Sequence, residues 1–137
     1  MVDKIDERII GLLKENSRMT YVDIGSEVGL SEGAVRNRVQ SLVSSGVIRR
    51  FTVEVTPSMR VRALVMISVS PNIPTLKISE KVEKLPGMER IYEVTGEYDI
   101  VSVVSSASIE GINQCIEDIR KIDGVVKTNT VIVLRTT

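Results

Sequence analysis

The first third of the chain alternates apolar and polar residues at the spacing of α-helices. One stripe of apolar side chains recurs every three or four residues and comprises Ile5, Ile9, Leu12 and Leu13. This pattern predicts an amphipathic helix over residues 3–16. A short second helix is expected to begin at Thr20 and to end at Gly29, and Ser31 is expected to cap a third over residues 31–45. Three successive helices are therefore predicted.

A strand-like segment follows the predicted helices. Apolar and polar residues alternate over residues 51–56 until Pro57 interrupts the pattern, and a period of two is typical of a β-strand. We place a linker that contains this short strand at residues 49–60. It separates an amino-terminal domain of residues 1–48 from a carboxy-terminal domain of residues 61–137.

The carboxy-terminal half predicts strands and helices in the order βαββαβ. The expected strands lie at residues 63–67, 91–95, 100–104 and 125–134, and the two expected helices carry Ile78, Val82 and Leu85, then Ile109, Ile112, Ile116 and Ile119. Two βαβ units of this kind form a four-stranded antiparallel sheet with both helices on one face and the first and third strands in the centre. The predicted fold class is α+β, a winged helix-turn-helix followed by a ferredoxin-like βαββαβ domain.

The predicted sheet has apolar residues on both faces. Residues 63–67 and 131–134 are apolar at both sets of alternate positions, whereas a face covered by water would carry polar side chains. A domain of about 75 residues also has a thin core, and oligomerisation is a usual remedy. We therefore expect a homodimer through the open sheet face. The alternative is that the amino-terminal helices fold back over that face.

The segment from Thr20 to Leu42 has the spacing of a helix-turn-helix. Gly25 is expected where two helices approach, Gly29 lies in the turn, and Val35 is expected to pack the second helix. The outward face of that helix would then lie along the major groove of DNA. The candidate DNA-binding residues are Thr20, Tyr21, Ser31, Glu32, Gly33, Arg36, Asn37, Arg38, Gln40, Arg49 and Arg50.

Five of these candidates are expected to act in three different ways. Arg36 and Asn37 are the base-reading residue types, because Arg can bind guanine and Asn adenine with two hydrogen bonds each. Arg38 lies nearer the packed side of the helix and is a candidate for either a phosphate contact or a structural ion pair. Arg49 and Arg50 are candidates for phosphate contacts.

The charge of the chain is balanced overall but not locally. The whole sequence holds 18 basic and 18 acidic side chains, while residues 29–50 carry four arginines against one glutamate. This modest local charge predicts weak DNA binding by one subunit, so that two subunits would act together on half-sites about one helical turn apart. The alternative is that the three helices form a protein-interaction module.

The composition argues against catalysis. Histidine is absent and Cys115 is the single cysteine, which excludes Ser-His-Asp, Cys-His and multi-cysteine zinc sites within the chain. The loop over residues 70–74 lacks the arginine that an acylphosphatase needs, and RNA stacking on the sheet would need more aromatics than Tyr92 and Tyr98. We predict no enzyme activity, no cofactor and no metal. Neither a signal peptide nor a membrane segment is expected, which predicts a cytoplasmic protein.

Taken together, these segments resemble the Lrp/AsnC family of leucine-responsive and asparagine regulators. The matching motifs are Ile5-Asp6 through Leu12-Leu13, Gly29-Leu30-Ser31, Arg38-Val39, Gly46-Val47-Ile48, Leu85-Pro86-Gly87 and Thr95-Gly96-Glu97-Tyr98-Asp99. The resemblance implies a transcription regulator whose carboxy-terminal domain dimerises sheet to sheet, assembles further to tetramers or octamers, and binds a small effector, typically an amino acid. Residues 72–75 and 134–136 are similar to archaeal members linked to lysine biosynthesis, which makes lysine one candidate effector.

The resemblance also implies an effector site. The residues carried over are Gly96, Glu97, Tyr98 and Asp99, with Thr128 and Thr130 as the facing part. A carboxylate can pair with an ammonium group, and backbone N–H groups beside a glycine can hold a carboxylate. The alternative is that Gly96 serves a positive φ in the hairpin and Asp99 is an ordinary turn residue. The predicted function is a sequence-specific DNA-binding regulator whose assembly responds to this effector; the alternative is a DNA-binding architectural protein without one.

Overall fold

A computed structural model describes residues 1–55 and 60–137 of the 137-residue chain. The chain divides into two compact units, Met1–Thr56 and Pro57–Thr137, and each unit has a hydrophobic core of its own. The predicted linker over residues 49–60 contains this division. Its residues 56–59 lie outside the described part of the chain.

The first unit contains the three predicted helices. They are α1 (Lys4–Glu15), α2 (Tyr21–Val28) and α3 (Glu32–Ser44). Thr20 and Ser31 cap α2 and α3 as expected, because their hydroxyl oxygens accept the backbone N–H groups of Asp23 and Ala34 at 3.1 and 3.2 Å. Each cap satisfies a donor that a helix start otherwise leaves unpaired.

A reciprocal cap that the sequence patterns did not predict begins α1. Asp3 Oδ1 accepts the N–H of Asp6 at 2.8 Å, and Asp6 Oδ2 accepts the N–H of Asp3 at 3.1 Å. Two carboxylates beside the positive end of the helix dipole are electrostatically favourable. The start of α1 is therefore fixed by two hydrogen bonds.

The turn between α2 and α3 requires two glycines. Gly29 adopts a left-handed conformation with φ of 74° and ends α2, while a Cβ on Gly25 would overlap the carbonyl oxygen of Leu30. The close approach lets the N–H groups of Gly29 and Leu30 both donate to the carbonyl of Gly25, at 2.8 and 3.0 Å. Ile24 and Val35 are fully buried behind this turn. The predicted helix-turn-helix is confirmed.

The strand predicted in the linker is not formed over residues 51–55, so that prediction was wrong for the described part of the segment. A strand needs a partner for its backbone N–H and C=O groups, and none of the described residues pairs with this segment. Phe51, Val53 and Val55 are correspondingly 51%, 73% and 75% exposed. The helix-turn-helix therefore carries no wing strand within residues 1–55.

The second unit has the predicted βαββαβ order. Its elements are β1 (Val61–Val69), α4 (Thr75–Glu83), β2 (Met88–Glu93), β3 (Ile100–Ser106), α5 (Ile109–Arg120) and β4 (Val125–Ile132). The strands form one antiparallel sheet in the order β2-β3-β1-β4, with β1 and β3 central. This confirms the ferredoxin-like arrangement. β2 begins and ends earlier than its apolar pattern over residues 91–95 predicted.

The two faces of the sheet differ in what covers them. Ala63, Val65 and Ile67 of β1 are fully buried in a core shared with side chains of α4 and α5. The alternate residues Leu64 and Met66 lie on the other face and are only partly buried. Their cross-strand partners are Val103 and Val101 on β3 and Val131 and Asn129 on β4. An apolar strip thus crosses the open face.

Within residues 1–55 and 60–137, no helix is long and apolar enough to cross a membrane.

Candidate functional site

The outer face of α3 collects most of the predicted base-reading residues. Val35, Val39 and Leu42 are buried on the opposite side, and helical spacing consequently turns one polar set outward. This exposed set comprises Glu32, Gly33, Arg36, Asn37 and Gln40. Hydrogen-bond donors and acceptors are thus presented together along one exposed helix, as major-groove recognition requires.

Arg36 is oriented by two neighbours. Its guanidinium pairs with the carboxylate of Glu32 one turn earlier on α3 and lies 5.9 Å from the centre of the Tyr21 ring. Tyr21 is the first residue of α2 and is half-buried. Both contacts keep the cation on the exposed side of the helix-turn-helix, where a base edge or a phosphate could replace Glu32 as its partner.

Arg38 forms an ion pair within the protein. Its Nη1 lies 2.7 Å from Asp3 Oδ2 and 3.1 Å from Asp6 Oδ1. The hydrogen bond from Arg38 lowers the pKa of the Asp3 carboxyl, and the two carboxylates raise the pKa of the Arg38 guanidinium. Of the two roles left open by the sequence, a phosphate contact or a structural ion pair, the geometry favours the ion pair.

The other predicted DNA-binding residues include two helix caps and two arginines that follow α3. Thr20 and Ser31 lie at the amino-terminal ends of α2 and α3 with their hydroxyl oxygens engaged in capping. Such helix ends are favourable positions for a phosphate. Arg49 and Arg50 follow α3 and are exposed cations.

Asp99 holds the predicted effector turn to the central strand. Its Oδ2 accepts the backbone N–H of Val69 at 2.8 Å, and its own N–H donates to the carbonyl of Ile67 at 2.9 Å. Gly96 has a φ of 111°, in the region that favours glycine. The structure thus gives Gly96 and Asp99 the conformational roles that formed the alternative to an effector site.

A lysine that the sequence patterns did not single out completes the turn. Lys127 of β4 places its Nζ 3.5 Å from Glu97 Oε1 and 5.4 Å from the centre of the Tyr98 ring. A carboxylate and an aromatic face together favour a cation. Glu97 and Tyr98 therefore form an ammonium-binding cradle, which we call the turn cradle. The sequence signal for this contact was that Lys127, a basic residue, precedes the predicted site residue Thr128.

Thr128 and Thr130 do not join the turn cradle in the single chain. Thr130 is paired across the sheet with the buried Val65, and Thr128 with Ile67. Thr128 Oγ1 accepts a hydrogen bond from Arg120 Nε of α5 at 3.2 Å. Both threonines thus point to the helix-covered face. Because side chains alternate along a strand, Lys127 points to the opposite, open face.

The single cysteine of the sequence lies in the second unit. Cys115 is 6% exposed in the core, where burial raises the pKa of its thiol, as expected of a packing residue. It borders a crevice of about 310 Å³ together with Arg60, Ser105 and Asp118. Across the described ranges, 1–55 and 60–137, no group of three or more His, Cys, Asp or Glu residues is arranged to hold a metal.

A helix-turn-helix with a polar recognition face, joined to a ferredoxin-like domain, defines a DNA-binding transcription regulator with a ligand-binding domain. Residues 2–43 match the AsnC-type helix-turn-helix domain, and residues 62–137 match the Lrp/AsnC ligand binding domain. The chain belongs to the Lrp/AsnC family.

Relatives and solved structures agree over nearly the whole chain. The transcriptional regulators LysM of Saccharolobus solfataricus and of Sulfurisphaera tokodaii are 45% and 46% identical over 135 and 134 residues, covering 98% of this chain and 95% and 96% of theirs. These archaeal relatives are consistent with the expected similarity to the archaeal branch. The feast or famine regulatory protein of Mycobacterium tuberculosis, complexed with L-methionine, is 28% identical with a TM-score of 0.86 and covers 99% of this chain and 94% of its own. AsnC of Escherichia coli is 26% identical with a TM-score of 0.78, again covering 99% and 94%.

Proposed function

We propose that this regulator binds a specific DNA sequence as a homodimer in the cytoplasm, and that an amino acid bound near the turn cradle changes its assembly to tetramers or octamers. The observation that carries the DNA-binding part is the exposed polar face of α3. The proposed partners are double-stranded DNA, further copies of the chain and the amino acid. The proposal includes no catalytic activity, cofactor or membrane.

The reading of DNA is assigned to the middle of α3. Arg36 and Asn37 are neighbours on its exposed face and supply the two side chains that bind guanine and adenine with paired hydrogen bonds. Release of Arg36 from Glu32 costs little because exposed ion pairs are weak. Arg49 and Arg50 would hold phosphates, which fixes the register of the helix without reading sequence.

Dimerisation is assigned to the open sheet face. Leu64, Met66 and Val131 form its apolar centre, next to Val101 and Val103 of β3. A second copy laid on this strip would remove apolar surface from water, which is the main favourable term in association. Two copies would also supply two recognition helices. The modest positive charge of one subunit predicts weak DNA binding, so two subunits would need to bind together.

The effector is assigned to the amino acids, with lysine as one candidate. The turn cradle already holds an ammonium group, that of Lys127, between Glu97 and Tyr98. An amino acid carries an ammonium group, and lysine carries a second one on its side chain. The solved relative complexed with L-methionine supports an amino acid as the class of ligand.

A DNA-binding architectural protein without an effector is the second candidate function. Two observations favour it: Lys127 occupies the cradle, and Asp99 is engaged by the N–H of Val69. Under this reading the second unit serves only to assemble the protein on DNA.

A ligand screen separates the two functions. The full chain is heated with each of the twenty amino acids, and every hit is followed by light scattering. A ligand at 100 times its dissociation constant should stabilise by about 2.7 kcal/mol. The test variant is Glu97→Gln, since Glu97 is exposed and outside the core, and the matched control is Glu93→Gln on β2.

A hit that Glu97→Gln weakens and Glu93→Gln preserves, with a change in assembly mass, supports the effector function. Absence of any hit favours the architectural protein. A hit that both variants preserve would place the amino acid away from the turn cradle.

A further inference from the structure

The first turn of α1 and the middle of α3 are joined by one closed polar network. Asp3 and Asp6 cap each other's backbone N–H groups, and both carboxylates also accept a hydrogen bond from Nη1 of Arg38, at 2.7 and 3.1 Å. We call these three residues the Arg38 clamp. In the sequence, Arg38 lies 35 residues after Asp3 and 32 residues after Asp6.

The clamp lies next to the residue that is assigned to read DNA. Successive residues of an α-helix are turned by about 100° from one another, so the direction of Arg38 sets that of Asn37. Asp3, Asp6, Asn37 and Arg38 all line one groove of about 590 Å³ beside α3. Ile9 and Leu13 of α1 share an apolar core with Val35 and Val39 of α3, and apolar contacts have no preferred direction.

We propose that Asp3, Asp6 and Arg38 are positioning residues for DNA recognition, which fix the rotation of α3 so that Arg36 and Asn37 face the major groove. The inference rests on the proposed function, because it requires that α3 read DNA. Arg38 in this role contacts no phosphate.

Burial makes the clamp more than a surface ion pair. The Asp6 side chain is 11% exposed and that of Arg38 is 31% exposed. Removal of Arg38 would leave Asp6 with a charge that water reaches poorly, which favours a rearranged helix start. A shift of α3 would then follow without loss of the apolar core between the helices.

The positioning role and a phosphate contact predict opposite effects of the carboxylates. If only charge mattered, neutralising Asp3 and Asp6 near the DNA would strengthen binding, because DNA is a polyanion. If the clamp positions α3, the same neutralisation weakens specific binding. The sign of this effect distinguishes the two roles.

The experiment uses a DNA duplex selected from a random library by the full-length chain, and a scrambled duplex of the same composition. Dissociation constants for both are measured at several salt concentrations. The variants are Arg38→Gln, Asp3→Asn with Asp6→Asn, the triple variant and Arg38→Lys. Glu7→Gln is the matched control, since Glu7 lies exposed in the same turn of α1 outside the clamp.

The expected result is a loss of specificity. Arg38→Gln and the double variant each weaken binding to the selected duplex about tenfold, comparable to one lost base contact. Affinity for the scrambled duplex and the slope of affinity against salt stay those of the unmodified protein. The triple variant binds no worse than the double, because the three residues act as one unit. Arg38→Lys, which keeps the charge, recovers part of the loss.

Once a preferred duplex has been selected, two outcomes would overturn the inference. One is that neutralisation of Asp3 and Asp6 raises the affinity for the selected duplex. The other is that Arg38→Gln lowers the affinity for both duplexes equally and reduces the slope of affinity against salt by the amount expected for about one lost phosphate contact. Circular dichroism checks that the helices persist, and if Arg38→Gln does not fold, the double variant decides the sign alone. If selection returns no preferred duplex, sequence-specific binding itself fails, and the inference fails with it.

Discussion

The carboxylate of Asp99 accepts the backbone N–H of Val69 at a distance of 2.8 Å. The pairing of β1 with β3 ends at Ile67 and Ile100, two residues before Val69, so the N–H of Val69 lies just beyond that ladder. The Asp99 carboxylate therefore takes the place of a strand carbonyl as the acceptor for this N–H at the end of β1. Asp99 thus stabilises the fold of the second unit, independently of any part that it plays in effector binding.

Replacement of Asp99 should destabilise the protein. Asp99→Ala leaves the partly buried N–H of Val69 without an acceptor, which costs about 1–3 kcal/mol of unfolding free energy. Glu97→Ala, two residues earlier and 74% exposed at its side chain, should change it by less than about 0.5 kcal/mol. Urea unfolding of the three proteins measures both values. Equal stability of the two variants would show that the bond to Val69 contributes nothing.

Gly25 should tolerate a methyl group far less than Gly11 does. A Cβ on Gly25 would overlap the backbone oxygen of Leu30, whereas one on Gly11 meets no atom within 4 Å. Gly25→Ala should therefore cost about 1–3 kcal/mol, and Gly11→Ala, inside α1, should stabilise by up to about 1 kcal/mol. Thermal unfolding of both variants checks the difference. A neutral Gly25→Ala would mean that α2 and α3 can separate without penalty.

Local signals explain why the helices and their caps could be predicted. Thr20 and Ser31 each bond to a backbone group three residues later, and the apolar stripe of α1 needs only its own sequence. The order of strands and helices in the second unit follows in the same way from short periodic segments. These features are decided within about one turn or one strand of the chain.

Features that depend on distant partners could not be predicted. The clamp joins Arg38 to Asp3 across 35 positions, and Lys127 meets Glu97 only because β4 runs beside the turn. The face that Thr128 occupies is set by the register of β4 on β1. The segment over residues 51–55 has a strand period but no strand to pair with among the described residues. In each case the deciding contact lies outside the local pattern.

A charge on the open sheet face should prevent dimerisation. Met66 lies at the centre of the apolar strip, opposite Val101, and Met66→Lys would bury an unpaired ammonium group in the proposed interface. Light scattering should then report 15.1 kDa, the mass of one chain, where the unmodified protein gives twice that or more. Leu76→Lys, on the exposed side of α4, should keep the larger mass. A Met66→Lys protein that stays dimeric would place the interface elsewhere.

Arg36 should contribute to specific DNA binding. Arg36→Ala should weaken binding to the selected duplex by about 1–3 kcal/mol and relax the sequence preference at one position. Arg8→Ala is the control, because Arg8 is an exposed cation paired with Glu27 on the side of α1 and α2. Fluorescence anisotropy with selected and scrambled duplexes measures both. An unchanged selected complex would show that Arg36 reads no base.

The stability of the first unit should depend on acid through Asp3. The hydrogen bond from Arg38, followed by the N–H of Asp6, lowers the pKa of the Asp3 carboxyl below its ordinary value of 3.8. Folding therefore favours the ionised carboxylate. Its contribution is present above pH 3.8 and is lost as the pH falls through the lower folded pKa.

Asp3→Asn isolates this charge, because the amide oxygen can still accept the N–H of Asp6. The difference in unfolding free energy between the unmodified protein and Asp3→Asn should be constant near neutral pH and should shrink in acid below 3.8. Replacement of Arg38 by Gln should abolish most of that difference, since it removes the largest cause of the shift. Urea titrations across this range measure it. A difference that is the same in acid and at neutral pH would mean that the charge of Asp3 contributes nothing to the stability of the first unit.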